Sequence, residues 1–170
     1  MLGDFLLQGI EVSAPIAFAA LGGVFSERSG VINIALEGIL IVTTFVIVAA
    51  ALAFESLFVG LIFAILAGIG VAAIHAVVTI TFRVNQIVSG VAINILALGI
   101  SRFFSQQFFG QETQTPFNSN LYPSILGVNV YAWMLIPIAI IAWYVLYKTV
   151  FGLRLRSVGE NPEAADTLGV

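Results

Sequence analysis

The side chains of this chain that could do chemistry are a few polar residues set within long apolar stretches. Asn33, Glu37 and Thr44 recur at a helical spacing, which places them near one face if the surrounding residues form a helix. At the helical rise per residue, Glu37 lies roughly 13 Å beyond Arg28. An ionisable group removed from water is unfavourable unless it is paired or hydrated. Glu37 is therefore predicted either to pair with a neighbouring helix, ionised or protonated, or to line a polar path.

A second polar stripe comprises Gln86, Gly90 and Asn94, with Asn85 beside it. Uncharged amides suit a neutral, hydrogen-bonding solute, whereas a cation path would concentrate carboxylates and a phosphate path would need arginine or lysine. The two stripes together predict a path for a neutral polar solute. Its predicted lining residues are Asn33, Glu37, Asn85, Gln86 and Asn94.

Enzymatic and metal chemistry has few candidate residues in this sequence. It contains no cysteine and a single histidine, His75, which excludes disulfides, cysteine nucleophiles and a multi-histidine metal site within the chain. An intramembrane enzyme would need His75 beside a serine or threonine, and no motif supports that pairing. His75 itself is predicted to make a hydrogen bond between helices, with a proton relay as the alternative. No catalytic residue, metal site or cofactor is predicted.

The elements that must position these side chains are membrane-spanning helices. The chain is 60% hydrophobic and 9% charged, against about 25% charged residues in soluble domains. A helix crosses a bilayer with about 20 apolar residues, and the segments lack the alternation of barrel strands. The predicted fold is an all-α polytopic membrane protein surrounded by lipid, without the basic stripe of a nucleic-acid-binding protein. Its five predicted spans are residues 8–25, 31–54, 57–82, 84–101 and 128–147.

The basic residues predict how these spans are oriented. Lys148, Arg154 and Arg156 follow the fifth span, and such residues mark the cytoplasmic side. Alternate crossings then place five of the six lysines and arginines on that side, the exception being Arg102. The N-terminus is predicted outside and residue 170 in the cytoplasm. The polar stretch at 106–129 lies outside, either as a solvated loop or as a docking surface for an extracytoplasmic partner.

The third span carries small residues at four-residue intervals. Small side chains on one helix face let another backbone approach closely, which is how helices associate where lipid supplies no hydrophobic driving force. The span is therefore predicted to be a packing element. The stripe consists of Gly60, Ala64, Gly68, Ala72 and Ala76.

The segment after the fifth span is polar and basic, and it contains the signals of a short helix. Asn161 is a good N-cap, Pro162 suits the first helical position, and Glu163 favours the positive helix start. Gly169 can close the helix. The prediction is a cytoplasmic helix of about two turns delivered by a basic linker, within residues 151–170. Because so short a helix is unstable alone, it is predicted to dock on a cytoplasmic partner.

Three collinear motifs resemble one family. Glu163-Ala164-Ala165, followed by three residues and Gly169, resembles the EAA loop of ABC importer permeases. The surrounding SVGENPEAA at 157–165 is similar to the version in the ribose and nucleoside branch, which is also matched by ALGGVFSERSGVINIALEG at 20–38 and NQIVSGVAIN at 85–94. Over nearly its whole length the chain most closely resembles nucleoside permeases that work with basic-membrane-lipoprotein-type binding proteins.

The resemblance implies a permease subunit of an ATP-binding-cassette importer in the bacterial cytoplasmic membrane, carrying a nucleoside or a sugar. It implies three partners, namely a separate ATPase subunit, a second permease subunit and an extracytoplasmic solute-binding lipoprotein. The chain has no Walker-type phosphate loop, so it is predicted not to be an enzyme and to leave ATP hydrolysis to its partner. The residues implied to couple to the ATPase are Gly159, Glu160, Asn161, Pro162, Glu163, Ala164, Ala165 and Gly169.

One departure from the family and one rival function remain. Permeases of this family continue past the EAA loop with further spans, so residues 1–170 are expected to be the N-terminal part of a single transmembrane permease domain, or one chain of a split subunit. The rival is a secondary transporter or channel subunit, which would explain an intramembrane Glu37 but not the capped cytoplasmic helix. The sequence leaves open which solute is carried, and whether the permeases pair as homodimers or heterodimers.

Overall fold

The computed structural model describes residues 2–110, 124–125 and 127–169, and most of these are helical. A π-helical turn, Val77–Thr81, continues the third helix. In chain order the elements are α1 (Leu2–Arg28), α2 (Leu36–Ala53), α3 (Leu57–Ala76), α4 (Gln86–Phe109), β1 (Ser124–Ile125), β2 (Val128–Asn129), α5 (Val130–Trp133), α6 (Leu135–Lys148), α7 (Val150–Glu160) and α8 (Pro162–Thr167).

Within the described residues, five helical segments are long and apolar enough to cross a membrane, which confirms the predicted all-α fold. Their outer faces carry large apolar side chains, such as Ile65 and Val88, whose exposure suits contact with lipid. The fifth segment joins α5 to α6. The five segments are Phe5–Arg28, Leu36–Ala53, Leu57–Thr81, Gln86–Phe109 and Val130–Lys148.

The second span begins later than predicted. The sequence predicted its start at Val31, but α2 begins at Leu36 and the residues between them are not helical. Asn33 therefore precedes the helix instead of sharing a helical face with Glu37. This correction matters for function, because it places a stretch of irregular backbone directly before α2.

The cause of the late start is the way in which α1 ends. Gly30 has a φ of +84° and follows the last turn of the helix. Its N–H donates to the Glu27 carbonyl at 3.0 Å, and the Val31 N–H donates to the Ser26 carbonyl at 3.1 Å. These two bonds form a Schellman motif, which requires a left-handed residue and so favours glycine. The chain cannot resume a helix until it has left this turn.

Two other boundaries differ from the prediction. Helix α4 continues to Phe109, where Gly110 ends it with a φ of +67°, so the first residues of the predicted outer loop are helical. The predicted basic linker is the helix α7, because Thr149 caps it by accepting a bond from the Gly152 N–H at 3.2 Å. The remainder of the predicted outer stretch, 111–123 and residue 126, lies outside the described residues.

The described residues form two compact units. Residues up to Ile32 and from Ser124 onward make the first unit, which holds α1 and the elements from β1 to α8. In this unit α1 packs against β2, α5, α6 and α7. A carboxylate oxygen of Glu11 accepts a hydrogen bond from the Asn129 N–H at 2.6 Å, which fastens α1 to the end of the hairpin.

The second unit, from Asn33 to Gly110, consists of α2, α3 and α4. A Cβ built at Gly60 would lie 2.7 Å from the Ile47 carbonyl oxygen, so α3 and α2 approach backbone to backbone there. One built at Gly68 would lie 3.1 Å from Thr43 Cγ2. The early part of the predicted small-residue stripe therefore packs against α2.

The later part of the stripe is less buried than the early part. Ala64 is buried, but Ala72 is exposed and Ala76 is only half-buried. Each four-residue step turns about 40° around a helix, so the row has rotated away from α2 by its fourth member. The buried face of α3 continues instead through His75. The contact with α2 is thus shorter than the predicted stripe.

Gly60→Leu is expected to destabilise the second unit, because the added side chain would have to displace the α2 backbone. Overpacking of this kind costs about 1–3 kcal/mol or more. Gly70→Leu is the matched control, since nothing lies within 4 Å of a Cβ at that glycine. The measurement is the midpoint of thermal unfolding of the purified protein in detergent. Equal midpoints for the two variants would contradict the close α2–α3 contact.

Candidate functional site

The irregular backbone before α2 is held by a side chain from α4. The Asn94 Oδ1 accepts a hydrogen bond from the Gly38 N–H at 2.7 Å, and its Nδ2 donates to the Ile34 carbonyl at 3.0 Å. Gly38 is the third residue of α2, so its N–H is one of the donors that a helix start leaves unpaired. Ala35, at the N-cap position, makes no side-chain cap bond of its own. Asn94 therefore caps α2 from a neighbouring helix.

Glycines allow this contact. A Cβ at Gly38 would lie 2.9 Å from the Asn94 Oδ1, and one at Gly90 would lie 2.9 Å from the Ile34 Cβ and 3.0 Å from the Ala35 backbone nitrogen. Both glycines are buried. Any larger residue at either position would push α4 away from the segment that Asn94 holds.

The contact lies well inside the span of α4. Gly90 and Asn94 stand four and eight residues beyond the helix start at Gln86, which places them about 6 and 12 Å along the helix axis. Non-helical backbone at membrane depth persists only where protein buries it or where it lines a polar cavity. In the segment from Asn33 to Ala35, the Asn94 and Asn33 side chains bond the Ile34 carbonyl and the Ala35 N–H, which lipid would leave unpaired. We name residues 33–38 together with Asn94 the polar break.

Two polar side chains complete the polar break. The Asn33 Oδ1 accepts a bond from the Ala35 N–H at 3.1 Å, which shapes the turn before α2. Glu37 is exposed in the first turn of α2, and its carboxylate has no hydrogen-bond or ion-pair partner within the described residues. The positive end of the α2 dipole favours a negative charge there. The pairing to a neighbouring helix that the sequence left open is therefore not found in this part of the chain, and the carboxylate is free to meet a solute or solvent.

The remaining predicted path residues stand at the start of α4. Asn85 is its N-cap, and its Oδ1 accepts bonds from the Ile87 N–H at 2.8 Å and the Val88 N–H at 3.4 Å. Gln86 is half-buried beside it. Asn85 is exposed but its oxygen is engaged in capping, so its first role here is to begin the helix.

His75 makes the predicted hydrogen bond between helices. Its Nδ1 lies 3.0 Å from the Ser89 Oγ of α4, and only 5% of the residue is exposed. Its Nε2 has no hydrogen-bond partner within the described residues. The bond joins α3 to α4 directly beside Gly90, so it fixes the helix that carries Asn94.

The segment after the fifth span contains the short helix expected from its signals. The Asn161 Oδ1 accepts a bond from the Ala164 N–H at 3.0 Å, and Pro162 occupies the first helical position. Glu163 lies in the first turn, and Gly169 has a φ of +73° just beyond the helix. Asn161 is the single residue between α7 and α8, so the two helices form one jointed arm.

The eight residues assigned to ATPase coupling divide into an inner and an outer group. Ala165 is 3% exposed, and Gly159 lies against the backbone of Arg28 and Gly30, so both face the chain itself. The outer group is available to a partner, and Leu168 beside it is 80% exposed. The exposed members are Glu160, Asn161, Pro162, Glu163, Ala164 and Gly169.

Sequence reasoning missed the partners of its own candidates. It selected Asn94 and His75, but not the Ile34 carbonyl, the Gly38 N–H or the Ser89 hydroxyl that they contact. The available signal was glycine, because Gly38 and Gly90 interrupt apolar segments without lying in a loop. A glycine inside a span permits close approach of another backbone, although others in the spans, such as Gly70, have no such neighbour.

A chain that is mostly helical, with five apolar spans among its described residues, is a multi-pass α-helical membrane protein. Residues 5–170 match the family described as the permease component of the branched-chain amino acid transport system, and the chain belongs to that family. No solved structure matches the chain significantly.

Several curated proteins are similar to the chain. The guanosine ABC transporter permease protein NupQ of Bacillus subtilis is 43% identical over 93% of this chain, and the nucleoside ABC transporter permease protein NupC of Lactococcus lactis is 39% identical over 93% of it. The putative glucose ABC transporter permease protein TsgC13 of Haloferax volcanii is 30% identical over 95% of it. The chain spans 56%, 56% and 53% of the lengths of these three relatives, respectively.

Proposed function

We propose that residues 1–170 are the N-terminal part of a permease subunit of an ATP-binding-cassette importer, which moves a nucleoside, or failing that a sugar, across the bacterial cytoplasmic membrane. The observation that carries the proposal is that the family match runs through both the polar break and the jointed arm. The family description names branched-chain amino acids, whereas two relatives at 43% and 39% identity are named for nucleosides. The nearer resemblance favours the nucleoside.

The chemistry of the polar break supports a neutral polar solute. It offers backbone carbonyl oxygens, the Asn33 amide and one exposed carboxylate, Glu37, and it contains no lysine or arginine. Ribose hydroxyls can donate to the carboxylate, and a nucleobase edge can pair with amide or backbone groups. A phosphorylated nucleotide would meet the Glu37 charge without a cation to offset it. The proposed solute is therefore the uncharged nucleoside.

The jointed arm supports coupling to a separate ATPase. The basic residues that follow the fifth span favour a cytoplasmic arm and an N-terminus outside. A helix as short as α8 needs a partner to hold it, and its outer residues are exposed. In this proposal a second permease subunit completes the membrane channel, and an extracytoplasmic lipoprotein delivers the solute. ATP binding by the ATPase displaces the arm, which links two distant sites through a rigid element.

The rival function, a secondary transporter or channel subunit, depended on an intramembrane Glu37. That carboxylate lies at the start of α2, where the helix dipole stabilises it without a transported ion. Membership of a permease family favours the importer.

The test is uptake by the complete transporter. The complete permease would be produced with the ATPase, permease and lipoprotein encoded beside it, in cells that lack other nucleoside importers. Uptake of radiolabelled guanosine is expected to saturate, to be reduced by unlabelled adenosine and to be unaffected by glucose. It is expected to vanish when the phosphate-binding lysine of the ATPase is replaced.

Each outcome of that experiment is informative. Guanosine uptake that persists with the inactive ATPase would overturn the importer assignment and favour a secondary transporter. Uptake of labelled glucose or leucine, but not of guanosine, would keep the importer and overturn the nucleoside.

A further inference from the structure

At the cytoplasmic end of the first unit, the backbone at the end of α1 touches the backbone of α7 without any side chain between them. A Cβ built at Gly159, near the end of α7, would overlap the Arg28 carbonyl oxygen and lie 3.0 Å from the Gly30 nitrogen. A Cβ built at Gly30 would lie 3.3 Å from the Gly159 Cα. Gly159 has no room for a side chain, and a side chain at Gly30 would be both tight and strained by the φ of +84°. We name this contact the glycine joint.

Both sides of the glycine joint are stiff. On one side, Gly30 is held in the Schellman motif by bonds at 3.0 and 3.1 Å from the Gly30 and Val31 N–H groups. On the other side, Gly159 lies within the continuous helix α7, and the Asn161 N–H donates to the Ser157 carbonyl at 3.1 Å. A close contact between two stiff elements transmits displacement, because neither side can deform to absorb it.

The glycine joint connects two features that the proposed function needs. Only Glu160 and Asn161 separate Gly159 from α8, so a force on α8 acts close to the joint. On the other side, Asn33 follows Gly30 by three residues along the chain, and with it the polar break begins. The path from the arm to the polar break is therefore a helix end, one backbone contact and a short covalent segment.

We propose that Gly30 and Gly159 are positioning residues through which a displacement of α8 is passed to the end of α1 and on to the polar break. The inference rests on the proposed importer function and adds its internal route. Gly159 thus acts within the permease and not as a contact for the ATPase. A widened joint leaves the ATPase attached but delivers less of its movement to the solute path.

The test compares Gly159→Ala and Gly30→Ala with Gly22→Ala in the complete transporter. Gly22 is the matched control for Gly159, because both lie within helices and nothing is within 4 Å of a Cβ at Gly22, whereas Gly30→Ala additionally strains a left-handed residue. The readouts are ATPase co-purification, the rate of ATP hydrolysis and the number of solute molecules imported per ATP. Both joint variants are expected to keep the ATPase and hydrolyse ATP, while import per ATP falls about tenfold or more. Gly22→Ala is expected to match the wild type.

Several outcomes would overturn the proposal while leaving the importer intact. Normal import per ATP in Gly159→Ala, with a functional wild type, would show that the joint carries no coupling. Loss of ATPase co-purification in that variant would show that Gly159 contacts the partner instead. Failure of the wild type to import with ATP would instead be a failure of the proposed function.

A second measurement does not depend on how the alanine variants fold. Residues 1–170 contain no cysteine, so once cysteines elsewhere in the transporter are replaced, spin labels can be attached through single cysteines at the exposed positions Glu27 and Glu160. The distance between the two labels is expected to stay constant through the ATP cycle, since the joint moves as one body. A distance that changes between the nucleotide-free and ATP-bound transporter would show that the two sides of the glycine joint do not move together, which would refute the proposal.

Discussion

Asn94→Leu is expected to reduce uptake by the complete transporter at least about tenfold while the protein still inserts into the membrane. The substitution removes the two bonds, at 2.7 and 3.0 Å, that join α4 to the Gly38 N–H and the Ile34 carbonyl. Each buried backbone group left without a partner costs about 1–3 kcal/mol. The segment before α2 is then expected to refold around new partners, and the polar break loses its shape.

Asn94→Asp separates the acceptor role of the Asn94 side chain from its donor role, and a second variant serves as the control. Asn94→Asp keeps an acceptor for the Gly38 N–H but loses the donor to the Ile34 carbonyl, so an intermediate loss of uptake is expected. Gln107→Leu is the matched control, because it removes an exposed amide from the same helix. That control is expected to transport normally.

Kinetics show whether Asn94 shapes the path or contacts the solute. A shaping role predicts that the maximal rate falls and the thermal stability of the purified complex drops with it. A rise in KM alone, with unchanged stability and maximal rate, would make Asn94 a direct solute contact. Uptake equal to that of Gln107→Leu would remove Asn94 from the mechanism.

The behaviour of Asn94 shows what the sequence could and could not predict. Its helical spacing with Gly90 predicted that the two share a face of α4, and both contact the segment before α2. Its partners are backbone atoms, however, and every residue has the same backbone atoms. They become available only because Gly30 ends α1 in a left-handed turn and delays α2 to Leu36. A hydropathy pattern does not reveal such a turn within an apolar stretch.

The stripe on α3 shows a limit of periodicity itself. Five small residues at equal spacing suggested one continuous contact, yet only Gly60, Ala64 and Gly68 lie towards α2. A four-residue repeat exceeds the helical repeat of about 3.6, so the row winds around the helix. The next fully buried residue of α3 is His75, and its bond to Ser89 belongs to the contact with α4. The spacing of residues predicts the small-residue stripe, whereas the direction of the neighbouring helices determines how much of the stripe is in contact with them.

The jointed arm was more predictable because its signals are local. Asn161, Pro162 and Gly169 act within one turn of their own positions, and each occupies the place that its chemistry favours. The position of Gly159 was not predictable in the same way, because it depends on contacts with residues far away in the sequence, Arg28 and Gly30.

Glu163→Lys is expected to abolish co-purification of the ATPase and, with it, ATP-driven uptake. The side chain is exposed in the first turn of α8, beside the positive helix start. A lysine there loses a favourable dipole interaction of about 0.3–1 kcal/mol and replaces it with an unfavourable one. It also reverses the charge that the outer face of the arm presents to a partner. Because α8 is too short to be stable alone, these changes act on its docking as well as on its formation.

The control for this prediction is Glu55→Lys, which makes the same charge change in the loop between α2 and α3. Both variants are first checked for equal amounts in the membrane, and the ATPase is then pulled down through a tag on the permease. Retention by Glu55→Lys and loss by Glu163→Lys would identify the arm as the docking element. If Glu163→Lys kept the ATPase and transported normally, α8 would not be where the motor attaches, and the glycine joint behind it would have no force to transmit.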